Sequence, residues 1–494
     1  MSKGLSILFG SIVLVCAVGC GGGSSSTVAT SSPTPTPTPS QVFPNDTASA
    51  QAAPVKLGTS GGNTTDIGPK FCCIGTLGSL WTATGVTNPV ILSNNHVLDK
   101  SGNGAPGDGV IQPLQVACLG PTAPAPLTVA HLTKAASLKP AANEPGQCPG
   151  SKAPLCGHAP SNVDAAIAEI VPGQVDLSGT ILDLGPAGAT SIAPAQPSSV
   201  QPMPVAGIGL PVSKSGRTSG LTCSTVQSIN GSFQIDYDAV CGDTTPAFTA
   251  IFTNQVAVDG GSFSAGGDSG SLIVETATSR PVALLYGGNA ASTVANPIQD
   301  VINTFGGPAA FSLIGGPDHA VSCAHTATAN STQVGTTQAA LVPKERQRVE
   351  AVQQRRIAQL MQDKAIKSVN VGASADSPNE GALLIQVTGN KILQVPPTID
   401  GVRTRLVFDA SSSGIHPSIG EQEVARATLV KESHVSSLLG QPGIQGVAVS
   451  QSADNPTETA ISIYVIKGAT HPPIPAVIDG VRTRIFEGDR FKAY

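Results

Sequence analysis

The feature that most constrains this chain is a succession of short apolar runs, each closed off by glycine, proline or asparagine. Cys73-Ile74-Gly75-Thr76-Leu77, Val90-Ile91-Leu92-Ser93, Ala165-Ala166-Ile167-Ala168-Glu169-Ile170, Ser271-Leu272-Ile273-Val274 and Val282-Ala283-Leu284-Leu285-Tyr286 are the clearest. None is long enough for a core helix, and runs of this length between turn residues fit strands buried in a barrel or sandwich. Glycine supplies 55 of the 494 residues and few stretches carry helical spacing, so β structure is expected over most of the chain. A Pro/Ala-rich stretch from Pro121 to Pro160 interrupts the series and reads as a surface loop.

The series stops near Ile314. Residues 316–342 are polar and Gly/Thr-rich and read as a linker, after which Lys344 to Ala365 carries Val349, Val352, Ile357, Leu360 and Met361 at near-helical spacing. An internal repeat follows. Val369, Val371, Asp376, Pro378, Glu380, Leu383, Ile385 and Val387 recur as Val447, Val449, Asp454, Pro456, Glu458, Ile461, Ile463 and Val465, and Ile399-Asp400-Gly401-Val402-Arg403-Thr404-Arg405 recurs as Ile478-Asp479-Gly480-Val481-Arg482-Thr483-Arg484. Each copy reads as helix, strand, strand, then a tight Asp-Gly turn into a further strand. Residues 343–494 are therefore expected to form a duplicated α+β domain, with its arginines salt-bridged on the surface.

The N-terminus belongs to neither part. Lys3 followed by the apolar run Leu5 to Val18 reads as a secretory signal over residues 1–20, too short to span a membrane comfortably. Ala17-Val18-Gly19-Cys20 resembles a bacterial lipobox, which implies export and lipid attachment at Cys20, and Gly21 leans by the same resemblance towards an outer membrane or cell surface. A cleaved signal with an incidental Cys20 is the alternative. Residues 21–60 include Ser32-Pro33-Thr34-Pro35-Thr36-Pro37-Thr38-Pro39 and read as a tether, because Pro/Ser/Thr-rich chain buries no core. Eight of the ten cysteines lie beyond Cys20, an even number that in an exported chain suggests disulfides; Cys148–Cys156 and Cys223–Cys241 are the short-loop pairings to try first, though spacing does not fix connectivity. A net charge of -5 and 3% aromatic residues give no surface for nucleic acid.

Chemistry is suggested by Gly266-Gly267-Asp268-Ser269-Gly270-Ser271. Glycines at 267 and 270 permit a tight turn that exposes Ser269, and the N–H groups of Gly267 and Ser269 can converge on one point, where an oxyanion would be held. A serine hydroxyl needs a base beside it to attack. His96 ends the strand-like Val90–Ser93 run, and Asp164 stands just before the Ala165–Ile170 run. An aspartate there can fix the imidazole tautomer so that the other ring nitrogen takes the serine proton. Asp108 is the nearest rival acid, with Asp99, Asp176 and Asp183 weaker; His131, His158, His319 and His325 follow no comparable strand.

The order His96, Asp164, Ser269 and these local contexts resemble chymotrypsin-like (trypsin-fold) serine proteases over roughly residues 70 to 305. The pattern resembles trypsin-like proteins of bacteria and plant Nal1-type proteases more than digestive trypsins. The resemblance implies an all-β double barrel at 61–315 and a serine endopeptidase without metal or cofactor, acting on polypeptides. Lys214-Ser215-Gly216-Arg217-Thr218-Ser219-Gly220 resembles a Ser-Gly-Arg-Thr-Thr-Gly stretch of the bacterial members, which implies that Arg217 pairs with Asp268 and holds the turn. Two departures stand out: Ser271 replaces a glycine, which bears on the primary pocket, and residues 121–160 lengthen the His-to-Asp segment. Phe263 and Ser264 are placed to line that pocket. A cell-surface binding module with a degenerate, weakly active protease domain is the alternative, and an esterase on the same triad would differ only in substrate.

Overall fold

The computed structural model describes residues 47–66, 74–113, 126–138, 163–186, 193–238, 246–323, 341–388, 393–408 and 419–494. Cys20, the signal, residues 21–46 and the cysteines at 72, 73, 118, 148, 156 and 241 lie outside them, as do His158 and His325.

The apolar runs become strands of two antiparallel barrels. The first uses β1 (Thr59–Asn63), β2 (Gly75–Leu77), β3 (Ser79–Ala83), β4 (Val90–Ser93), β5 (Gly109–Gln112), β6 (Leu127–Ala135) and β7 (Ala166–Ile170). Pairing runs β3-β4-β7-β6-β5-β1-β2. Since β2 and β3 are one strand bent at Gly78, this path returns to its start and closes around Leu80, Ile91, Leu92, Val110, Val129 and Ala168, all buried. Two expectations are corrected here. β6 lies inside the stretch read as a loop: its buried Val129, Ala130 and Leu132, with His131 exposed between the last two, were masked by its Pro/Ala-rich flanks. The fold also begins before residue 61, because Val55 and Leu57 are fully buried and Thr47 donates its hydroxyl hydrogen to Arg217 O.

The second barrel uses β8 (Pro211–Gly216), β9 (Gly220–Tyr237), β10 (Phe248–Asp259), β11 (Leu272–Glu275), β12 (Pro281–Gly288) and β13 (Ser292–Pro297). The order β9-β10-β13-β12-β11-β8 closes on β9. A helix, α2 (Ile298–Thr304), and β14 (Phe311–Leu313) then return the chain to the first barrel, where β14 pairs with β3 and Phe311 stacks on Trp81. The expected linker starts later than residue 316, because Val321 bridges to Pro186 and Cys323 forms a disulfide with Cys223. That bond replaces the expected Cys223–Cys241 pairing; nearness in sequence was a poor guide once β9 carried Cys223 away.

The remaining residues divide between a sheet of their own and the wall of the second barrel. α3 (Pro343–Leu360) packs on a four-stranded sheet of β15 (Ile366–Ala373), β16 (Gly381–Val387), β17 (Thr398–Ile399) and β18 (Val402–Val407). α4 (Glu421–Leu439) is followed by β19 (Ile444–Gln451), β20 (Thr459–Ile466), β21 (Val477–Ile478) and β22 (Val481–Gly488), but β19 pairs with β9, so this sheet continues the second barrel's wall. Both Asp-Gly turns have positive φ at each residue (47° and 77° at 400–401, 43° and 79° at 479–480), as a two-residue hairpin requires. Arg403 and Arg482, expected at the surface, are buried. Each ion-pairs with a glutamate of its own segment and donates to the other segment's threonine: Arg403 to Glu380 and Thr483, Arg482 to Glu458 and Thr404. The last strand, β23 (Lys492–Ala493), pairs with β12 and β9.

Candidate active site

His96 sits in α1 (Asn95–Leu98), the single helical turn that follows β4. The first N–H groups of a helix lack partners within it. Asp164, at the mouth of β7, supplies them: its Oδ1 accepts from the N–H of Asn95 at 2.7 Å and, more weakly, of His96 at 3.3 Å. Its Oδ2 accepts from Tyr237 Oη at 2.8 Å and lies 2.6 Å from His96 Nδ1. The carboxylate is fully buried, so this set of donors is what makes its burial tolerable. Asn94 Nδ2 donates to Asp164 O and Asn296 Oδ1 accepts from Asp164 N–H, fixing the main chain from both barrels. Sequence reasoning missed Tyr237 and Asn296, which are distant in the chain and carry no local motif.

Burial pulls the His96 pKa down, but the charge and hydrogen bond of Asp164, a bond to Tyr494 O and the charge of Asp66 outweigh it, leaving the imidazole above its ordinary value of 6.5. Burial pushes the Tyr237 phenol well above its ordinary range, with the adjacent Asp164 charge adding to it, so Tyr237 remains a donor.

Ser269 is held where the barrels meet. Thr76 N–H donates to Ser269 O at 2.7 Å and the Thr76 hydroxyl to Gly267 O at 2.9 Å. Gly267 and Gly270 have φ of 98° and 94°, a conformation that favours glycine. A Cβ on Gly78 would lie 1.9 Å from Gly270 O, so the bend between β2 and β3 must be glycine for the turn to come this close. Among the described residues, neither the Gly267 nor the Ser269 N–H meets a protein acceptor. Ser269 Oγ donates to Tyr286 O at 3.1 Å, and His96 Nε2 lies 3.0 Å from Tyr494 O, so the direct Ser269–His96 bond is not made. Ser271 turns inward, donating its hydroxyl hydrogen to Asp268 O.

The brace of the turn differs from the expected one. Asp268 ion-pairs with Lys214 at 3.3 Å, not with Arg217, and accepts from the N–H groups of Thr218, Ser219 and Ala265 and from the Ser219 hydroxyl. Burial pushes the Asp268 carboxyl up, but Lys214 and these donors bring it below its ordinary value; burial depresses Lys214, against the pull of Asp268. Arg217 lies alongside, its guanidinium donating to Thr218 Oγ1. The signal for Lys214 was available: it shares strand parity with buried Val212, an inward position where a lysine needs an anion.

No protein-family model matches the sequence, and no curated protein matches it. Among solved structures, the chain is similar to Thermobifida fusca protease A (16% identity over 53% of this chain and 99% of that one, TM-score 0.31). It is also similar to Nocardiopsis protease (14%, 52% and 98%, TM-score 0.32) and to Cellulomonas bogoriensis chymotrypsin (14%, 53% and 99%, TM-score 0.31).

Proposed function

We propose that this chain is a serine endopeptidase, exported and lipid-anchored through Cys20, that cleaves polypeptides through an acyl-enzyme. The observation that carries this reading is the His96–Asp164 pair beside the Ser269 turn. Asp164 holds Nδ1, so Nε2 faces the cleft, where it donates to the carbonyl oxygen of Tyr494. With that carbonyl gone and the proton that Nε2 donated to it released to water, Ser269 Oγ leaves Tyr286 O, gives its proton to the now unprotonated His96 Nε2 and attacks the scissile carbonyl. The Gly267 and Ser269 N–H groups hold the oxyanion. His96 then returns the proton to the leaving amine, and water releases the acyl group by the same steps.

A fluorophosphonate probe tests the reading: labelling of the wild type that is lost in Ser269→Ala and strongly slowed in His96→Ala is the expected result. A folded chain lacking residues 492–494 that still goes unlabelled would favour a binding module. The anchor rests on residues 1–60 alone, and Cys20→Ala is expected to move the protein from the membrane to the soluble fraction.

A further inference from the structure

Residues 492–494 lie in the cleft as a strand. β23 pairs antiparallel with the end of β12, Ala493 opposite Gly287 and Lys492 opposite Gly288. Tyr494 N–H donates to Tyr286 O at 3.3 Å, the same oxygen that accepts from Ser269 Oγ, so the Tyr494 main chain stands beside the serine. Its own carbonyl oxygen is 3.0 Å from His96 Nε2. The side chain enters the second barrel, packing against the cluster that contains Val212 and Phe263. Burial pushes its phenol up to about 12, partly offset by the Ser264 hydroxyl.

The two glycines of β12 match this occupant. A Cβ on Gly287 would lie 2.3 Å from Lys492 O, and one on Gly288 would lie 2.4 Å from the Tyr494 hydroxyl. Any larger residue at 287 would expel the strand, and one at 288 would fill the space of the phenol. The segment is also delivered rather than loose. Arg490 ion-pairs with Asp236, Phe491 is fully buried against Phe233 and Tyr464, and Asp489 O accepts from Asn289 and Gln445. These contacts hang from β22, whose sheet is continuous with β9, so the second α+β segment is the arm that places 492–494.

We propose that residues 492–494 are a resident peptide ligand of this site, seated as the acyl half of a substrate, that blocks the cleft until displaced and shows its ligand class to be an extended peptide with a hydroxylated aromatic side chain next to Ser269. The proposal rests on the protease reading for the word substrate; the occupancy stands on geometry. A tethered ligand meets its site at an effective concentration in the millimolar range, so even weak intrinsic binding keeps the cleft filled.

The test compares the full chain, the chain shortened after Phe491, and Tyr494→Ser, which keeps the strand but empties the pocket and guards against a folding defect in the shortened form. Two readouts are used: the rate of fluorophosphonate labelling, and the fluorescence anisotropy of a labelled Glu-Gly-Asp-Arg-Phe-Lys-Ala-Tyr peptide. Shortening is expected to raise labelling at least roughly tenfold, with Tyr494→Ser in between, and the shortened chain is expected to bind the peptide while the full chain does not. Equal labelling of all three, with no peptide binding to the shortened chain, overturns the proposal and leaves the protease reading standing. No labelling of any form, with the peptide still bound by the shortened chain, overturns the protease reading and supports the occupancy.

Discussion

Single residues decide the electrostatics of this site, and two of them give tests. Lys214 is the cation that Asp268 faces, with both side chains fully buried. Lys214→Met leaves a buried carboxylate without its charge partner, a loss on the order of 3 kcal/mol. Its urea midpoint and probe labelling are therefore expected to fall well below those of Arg217→Ala; equal effects would return the brace to Arg217. Tyr237→Phe removes one of the donors on Asp164, a hydrogen bond to a charged group that stabilises by about 1.5–3 kcal/mol. The uncovered charge then acts more strongly on His96. Because the His96 pKa is already raised, its contribution to stability is complete below pH 6.5 and is lost as pH rises through the folded value. Catalysis needs the neutral base, so the acid limb of kcat/KM in the shortened chain is expected to move to higher pH in Tyr237→Phe, and an unmoved limb would separate Tyr237 from the imidazole. The residue-scale pattern was half legible. His96, Asp164 and Ser269 each stand at a strand end or glycine turn that the sequence displays. Tyr494 does not: 398 positions separate it from His96, and only the three-dimensional path of β22 and β23 joins them.

At the scale of elements, the sequence displays strands better than it displays their bends. β4, β7, β11 and β12 follow from apolar runs, since a buried strand needs nothing but apolar residues and flanking turns. β9, which runs from Gly220 to Tyr237, does not: its partners change along its length, so its two faces never settle into one alternation of buried and exposed residues. Gly78 was equally silent, being one of many glycines, yet it sets the distance between the first barrel and the serine turn. Gly78→Ala puts a methyl group against two main-chain oxygens, those of Gly270 and Leu92, which cannot rotate away. The backbone has to shift, at about 1–3 kcal/mol for overpacking. The expected outcome is a lower thermal midpoint together with a larger loss of probe labelling than stability alone explains, with near-ultraviolet circular dichroism checking that the fold persists. Labelling at the wild-type rate would show that the serine turn does not depend on this contact.

For the molecule as a whole, the two α+β segments are joined through polar residues that the repeat alignment pairs. Asp376 accepts from the Ser452 hydroxyl and the Ala453 N–H, and Asp454 accepts from the Ser374 hydroxyl and the Ala375 N–H. The sequence showed that these positions repeat; it did not show that each copy completes the other, because reciprocity of this kind needs the two segments to face one another. The arrangement buries two carboxyls together. Burial, with the neighbouring Asp376 charge adding to it, pushes Asp454 from 3.8 up to about 6. A carboxyl raised on folding stabilises most when protonated in both states, so its contribution is complete below about pH 4 and is lost as pH rises towards 6. A shift of this size corresponds to something on the order of 2–3 kcal/mol. Asp454→Asn abolishes that titration while keeping one acceptor oxygen. Measured by urea unfolding, the variant is therefore expected to gain on the wild type by that amount between pH 4 and pH 7, whatever its absolute stability. The strand that carries 492–494 to the cleft hangs from this same segment, so in the wild type the tail's release is expected to become easier over the same pH window, and labelling of the full chain, corrected for the His96 titration by using the shortened chain as reference, reads it directly. A constant ratio of full-chain to shortened-chain labelling from pH 4 to pH 7 would show that the carboxyl pair and the cleft are not coupled.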